Sequence, residues 1–255
     1  NKITFLQGQP ILGGFLSRAQ EGYPLGTFFG AEYAGVDPAN GDALYYLNKA
    51  VNDNSGTGTI DHSAGTTNDI NLAQLVPVGD PNARWTGGFT NTFTFKGIDL
   101  SATLIGVFGN KIYDGGAQFY SVAFNNGPDN QTRDQLNRWQ KPGDVTDVPK
   151  ASYLSGNGAG NSSRFVRNGD YGRLRTLTLG YNLPSTLVKK GYLQSARFYV
   201  QALNLVTFTK YKGWDPEVNT DYLAPNTTQG NINQGIDFYT APQPRTITFG
   251  VNIGI

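Results

Sequence analysis

Two acidic pairs and one histidine are the residues whose types and spacing could do chemistry. Asp53 and Asp61 bound the stretch Asp53-Asn-Ser-Gly-Thr-Gly-Thr-Ile-Asp61, where side-chain oxygens recur at alternate positions as in loops that wrap calcium. Ser55 and Thr57 stand where carboxylates or amides belong, and the closing position is Ala64. The stretch therefore reads first as a plain loop, with calcium at Asp53 and Asp61 as the secondary assignment. His62, the only histidine, has no Gly-x-Ser-x-Gly turn to serve and reads as a solvated loop residue. Asp215 and Glu217 are the types of a glycosidase pair, but two positions apart around Pro216 they suit a turn or a loop anchor. Gly156-Asn-Gly-Ala-Gly160 lacks the final spacing of a dinucleotide loop, and no strand leads into it. With Cys 0 there is no thiolate nucleophile, thiolate metal site or disulfide. No constellation supports an enzyme.

Aromatic residues in long polar segments are the remaining candidates. Tyr113, Phe119, Tyr120, Trp139, Trp214 and Tyr239 sit among Asn, Gln and Asp, a setting that suits the apolar faces of sugars or the side chains of peptides. The competing and stronger expectation is that they pack these segments against one another.

The elements that must position these residues are strands. From Arg245 to Ile255, Ile247, Phe249, Val251, Ile253 and Ile255 alternate with Thr246, Thr248, Gly250, Asn252 and Gly254, which is the period of a strand with two unlike faces. About ten residues tilted near 45° also cross a bilayer. Trp85 to Phe95, the turn Lys96-Gly97, and Ile98 to Phe108 read as a hairpin. The two-residue turn pairs Phe95 with Ile98 and puts Phe89, Phe93, Leu100 and Leu104 on one face. Gly172 to Leu183 places Leu177, Leu179, Tyr181 and Leu183 on one face, and Ala196 to Thr207 forms a further strand. Leu25 to Val36 reads as one strand that pairs with Ala43 to Leu47 through Asp37-Pro-Ala-Asn-Gly-Asp42.

Between them, 48–84 reads as loop, as does 109–170 apart from a short helix near Thr132 to Gln140. Connections thus alternate short and long, as in an up-and-down barrel of the outer membrane. No charge interrupts the apolar faces, so Phe89, Phe93, Leu104, Leu179, Ile247, Phe249, Val251 and Ile253 are assigned to lipid. About seven strands are too few to close, and an open edge in lipid leaves unpaired backbone groups. The expectation is therefore an all-β, antiparallel, up-and-down transmembrane barrel segment with long extracellular loops, residues 1–255 being part of a larger barrel.

Totals agree. A net charge of +1 with 15% charged residues argues against nucleic acid. No apolar run is long enough for a transmembrane helix, and a mean hydropathy of -0.38 is uninformative for a barrel with a polar lumen. The opening residues lack the features of a signal peptide, so the reading is that a leader has been removed or that the chain begins within a longer one.

Several ordered stretches resemble one family. They include Glu21-Gly-Tyr-Pro-Leu-Gly-Thr-Phe-Phe-Gly30, Gly79-Asp-Pro-Asn-Ala-Arg-Trp85, Phe165-Val-Arg-Asn-Gly-Asp-Tyr-Gly-Arg-Leu-Arg175, Gly213-Trp-Asp-Pro-Glu217 and Pro244-Arg-Thr-Ile-Thr-Phe-Gly-Val-Asn252. Collinear over nearly the whole chain, they resemble the SusC/RagA-like TonB-dependent transporters of the bacterial outer membrane. The resemblance implies the C-terminal part of a 22-stranded barrel whose plug, TonB-contacting segment and other strands lie outside this chain. It also implies a SusD-like surface lipoprotein as lid, and oligosaccharides or peptides as cargo, with the loop aromatics touching cargo or lid. The chain departs from the family in ending on Ile255, where an aromatic residue is usual. A soluble β-sandwich or solenoid that binds carbohydrate through the same aromatics is the alternative.

Overall fold

The computed structural model describes residues 1–51, 56–218 and 231–255. They divide into two units: Asn1–Asn82, Asn110–Asn168 and Val218–Thr240 form one, and Ala83–Gly109, Gly169–Glu217 and Ala241–Ile255 the other.

The second unit is a five-stranded antiparallel sheet of β1 (Trp85–Phe95), β2 (Ile98–Phe108), β3 (Tyr171–Asn182), β4 (Ser195–Thr209) and β5 (Thr246–Gly254), whose spatial order is its chain order. Lys96 and Gly97 join β1 to β2 with both residues at positive φ, 47° and 85°. That is the backbone of a turn whose twist matches its strands, and Phe95 duly faces Ile98. A short helical turn at Ser185–Val188 occupies the connection from β3 to β4. The long excursions all leave and rejoin the opposite end of the sheet.

Register explains the alternation. Phe93, Leu100, Leu179, Val200 and Phe249 form one continuous row across all five strands, and Phe95, Ile98, Tyr181, Phe198 and Val251 form the next. The reverse face carries rows such as Thr92, Ser101, Thr178, Gln201 and Thr248. Hydroxyls and amides there bond to each other, Thr92 Oγ1 to Ser101 Oγ at 3.1 Å and Gln201 Nε2 to Thr178 Oγ1 at 3.2 Å. One face is apolar and bare, the other polar and cross-linked.

Strict alternation back from Leu177 would place Arg175 and Arg173 on the apolar face. The structure avoids this with a bulge. Thr103 pairs with Thr176 but Leu104 pairs with Leu174, so Arg175 is the extra residue and the facing of β3 reverses there. Leu174 joins the apolar side, and Arg173 turns to the polar one.

The first unit corrects the reading of its segments as loop. Leu25 to Val36 is not one strand: Thr27–Gly30 pairs with Ser17–Ala19 and Val76–Gly79, whereas Tyr33–Val36 forms the expected hairpin with Ala43–Tyr46 in a separate sheet. The seven strands assigned to the barrel sheet are therefore five. Segment 109–170 is also structured. Lys111–Asp114 is the centre of a three-stranded sheet, antiparallel to Val166–Asn168 and parallel to Ile236–Asp237, and Arg133–Asn137 forms a helical turn. Phe28, Tyr113, Val122, Phe165 and Ile236 are fully or almost fully buried in one core. These apolar residues lie far apart in sequence without a period, which hid them from a pattern search.

Candidate functional site

In the first unit, aromatic residues from four separate stretches converge. Phe15 packs on Tyr113 and on Phe238, at 5.4 and 5.5 Å between ring centres. Phe238 meets Phe119 at 6.2 Å and Tyr239 at 5.0 Å, and Tyr239 meets Tyr120 at 5.9 Å. Most of these contacts are edge-on or tilted, the geometry aromatic quadrupoles favour. The short helix Ala117–Tyr120 supplies Phe119 and Tyr120, and the parallel strand Ile236–Asp237 leads into Phe238 and Tyr239. Tyr239 itself sits at positive φ, 54°.

The cluster grades from core to surface. Tyr113 is wholly buried, its hydroxyl donating to Asn161 Oδ1 at 2.8 Å, so it offers no surface to a ligand and departs from the expectation of an exposed loop aromatic. Phe119 and Tyr120 are partly buried, and Tyr239 is 51% exposed. Four of the six loop aromatics singled out thus belong to one cluster, three of them on its accessible side. Phe15, which joins Tyr113 to Phe238, has no periodic or polar signal around it in the sequence.

Two carboxylates lie beneath this rim. Asp114 and Asp237 are directly opposed in register and both buried. Tyr120 donates its hydroxyl to Asp114 Oδ1 at 2.5 Å, and the Ala117 N–H adds a bond at 3.1 Å. Burial, helped by the charge of Asp237, raises the Asp114 carboxyl above its ordinary value despite these bonds. Burial and the nearby Asp114 likewise push the Tyr120 phenol up. The hydroxyl therefore stays protonated and available as a donor.

The other expected residues lie apart from the cluster. Trp139 is tied to a neighbouring hairpin, its Nε1–H donating to Pro38 O at 3.1 Å. Trp214, in the second unit, is 72% exposed. Asp61 caps the helical turn His62–Ala64 by accepting from the Ser63 N–H at 3.0 Å, and those bonds hold its carboxyl below the usual range. Asp53 lies outside the described residues. His62 stacks on Tyr46 at 3.7 Å and lies 3.0 Å from Glu32 Oε2.

Asp215 and Glu217 are a loop anchor in the second unit. Asp215 pairs with Arg173 at 2.5 Å and accepts the Glu217 and Gln243 N–H groups. Glu217 bonds to Arg175 at 2.5 Å. Both carboxylates are engaged by arginines, which removes the free acid and base a glycosidase pair requires. All eight residues assigned to lipid, from Phe89 to Ile253, lie exposed on the one apolar face of the sheet.

No family model matches the chain. TonB-dependent receptor P3 of Formosa agariphila is 33% identical over 253 residues, 98% of this chain and 24% of that protein. TonB-dependent receptor SusC of Bacteroides thetaiotaomicron is 28% identical over 237 residues, 92% of this chain and 20% of that protein. Among solved structures, the RagAB peptide transporter superposes with a TM-score of 0.72 at 25% identity, over 96% of this chain and 24% of that one. The RagAB peptide importer in its closed-closed state gives 0.73 at 25% identity, over 100% and 26%. The chain spans about a quarter of the length of these relatives. With its antiparallel sheet, its bare apolar face and a likeness to these proteins over nearly all of its own length, the chain belongs to the SusC/RagA-like TonB-dependent receptors, β-barrel proteins of the outer membrane.

Proposed function

We propose that this chain is the C-terminal barrel part of an outer-membrane importer that takes up oligosaccharides or peptides. The observation that carries the reading is the row Phe93, Leu100, Leu179, Val200 and Phe249, apolar across five strands and uncovered. In water such a face needs a second layer, as in a sandwich; in a bilayer the hydrocarbon covers it. The plug, the remaining strands and the TonB-contacting segment belong to the rest of the protein. A SusD-like surface lipoprotein serves as lid, and the rim of Phe119, Tyr120 and Tyr239 offers aromatic surface to cargo or lid. The protein is a transporter and carries out no bond chemistry.

This chain has no cysteine, so single labels at its positions need only a full-length background cleared of any cysteines elsewhere. Nitroxides at Phe93→Cys and Phe249→Cys in the full-length protein, reconstituted in vesicles, are expected to collide with oxygen in the bilayer. Labels at Thr92→Cys and Thr248→Cys are expected to be shielded from it. Equal collision from both faces, or recovery of the protein from cells without detergent, would overturn the reading. Deleting the gene and measuring growth on oligosaccharides or on peptides then identifies the cargo class.

A further inference from the structure

A crevice of about 510 Å³ opens in the first unit, distant in sequence from the aromatic rim and lined by Asp42, Asn68, Ile70, Lys150, Ser152 and Asn157, with Tyr45 at its floor. Its size lies within the roughly 300 to 1,000 Å³ of small-molecule sites. We propose that it is a subsite for a neutral sugar.

The charges decide the ligand class. Lys150 Nζ and Asp42 Oδ1 are 2.9 Å apart, and Asn68 Nδ2 bonds the other Asp42 oxygen at 3.4 Å. Both charges are thus compensated before any ligand arrives, yet the ammonium keeps spare donors and the carboxylate spare lone pairs. A zwitterion or an anion would have to separate this pair to reach its own counter-charge. A hydroxyl group, donor and acceptor at once, bridges the pair without separating it. Asp69 also lines the crevice and leaves one negative charge in excess, which disfavours acidic sugars and phosphates. Ile70 provides apolar surface for the C–H face of a ring, and Tyr45, buried beneath and packed on Tyr33, backs the crevice without facing the ligand.

The walls are already set. Asn125, only 1% exposed, donates to Lys150 O and Asn157 O at 3.1 and 2.8 Å and accepts from the Ser152 N–H and Ser155 Oγ at 2.7 and 3.2 Å. Asn157 in turn accepts the Ala43 N–H at 2.7 Å and donates to Gly41 O at 3.2 Å, while the Lys150 N–H reaches Gly41 O at 3.0 Å. Segments 41–43 and 150–157 are therefore pinned together by the half-buried Asn157 amide and the Lys150 N–H, while the buried Asn125 braces 150–157 internally. Little ordering cost is left for a ligand to meet, so even a small ring can bind measurably.

The proposal rests on the importer reading only in the source of its ligand, and the two can fail separately. Binding of cellobiose, D-glucuronate and glycylglycine to the detergent-solubilised full-length protein is measured by saturation-transfer NMR and calorimetry. Cellobiose is expected to bind, with the other two weaker by about tenfold or more. Asn68 is exposed at the crevice, so Asn68→Trp fills it without disturbing the core, and Lys150→Met removes the ammonium but keeps its stem. Each is expected to weaken cellobiose by about tenfold or more while the heat-modifiable band stays unchanged. No cellobiose binding, binding indifferent to Asn68→Trp, or tighter binding of glycylglycine would overturn the subsite. Loss of the importer reading would show instead as a gene deletion without effect on any uptake, whatever the crevice binds.

Discussion

Arg173 and Asp215 meet at 2.5 Å with the arginine side chain entirely shielded from solvent. Glu217 Oε2 lies 3.0 Å from Arg173 Nη1, a contact of charges without hydrogen-bond alignment, and its other oxygen holds Arg175. One strand and the loop after β4 are thereby joined through two arginines and two carboxylates. Asp215→Ala leaves Arg173 buried with one weakly aligned partner, and a loss of about 3 to 5 kcal/mol is expected. Loss of the heat-modifiable band at a lower temperature is the readout. Arg173→Met with Asp215→Asn should recover part of the loss, because no buried arginine is left uncompensated and the amide oxygen still accepts from a backbone N–H of the loop.

The apolar rows make a sharper demand. Phe249→Arg puts a cation on the bare face and is expected to cost roughly 2 to 4 kcal/mol if the position lies near the bilayer midplane. Thr248→Arg, one residue away on the polar face, should be tolerated. Refolding of both variants into phospholipid vesicles, followed by denaturant titration, measures the difference. Equal losses would show that the two faces meet the same surroundings.

Acid should stabilise the first unit through Asp114. Its carboxyl is raised above the ordinary 3.8 by burial, with Tyr120, Asp237, Ala117 and Arg167 as its neighbours. The folded state thus holds the proton more tightly than the unfolded one, so its contribution is favourable at low pH. That contribution falls as pH rises from about 3.8 through the raised value and is a penalty above it. Asp114→Asn keeps the acceptor for Tyr120 and is expected to flatten this dependence and to stabilise the unit at neutral pH. Amide exchange at Lys111–Asp114, followed from acid to neutral pH, tests it.

The β1–β2 turn can be broken by one methyl group. Gly97 has φ of 85°, and an added Cβ would lie 2.8 Å from Asn182 O. Gly97→Ala should cost about 1 kcal/mol or more from the left-handed backbone alone. Slower assembly into the membrane, seen as a delayed heat-modifiable band, is the expected effect; an unchanged rate would mean the turn forms late.

What the sequence revealed follows from where each residue's partners lie. Phe93 and Phe249 are legible because a strand with one apolar face repeats every two residues, and Phe95 finds Ile98 across a turn of two. Phe28 and Ile236 are not: they share a core but are separated by more than two hundred positions with no period between them. Tyr113 looked like a loop aromatic for the same reason, since its enclosing partners Phe15 and Phe238 come from both ends of the chain. Asp215 and Glu217 were legible as anchors, but the arginines they hold were not, because alternation from Leu177 and Leu179 points Arg173 the wrong way.

The bulge at Arg175 gives β3 two reading frames that meet at one residue. From Asn182 back to Thr176 the odd positions face outward; from Leu174 back the even ones do. Excising Arg175 would merge the frames while leaving Thr176 opposite Thr103 and Leu174 opposite Leu104. Excising Leu177 instead would turn one side of the strand inside out. Against β2, then, a deletion at that one position, and at no neighbouring one, keeps both frames in register, at the cost of the bonds Arg175 makes to Glu217 and Asn204.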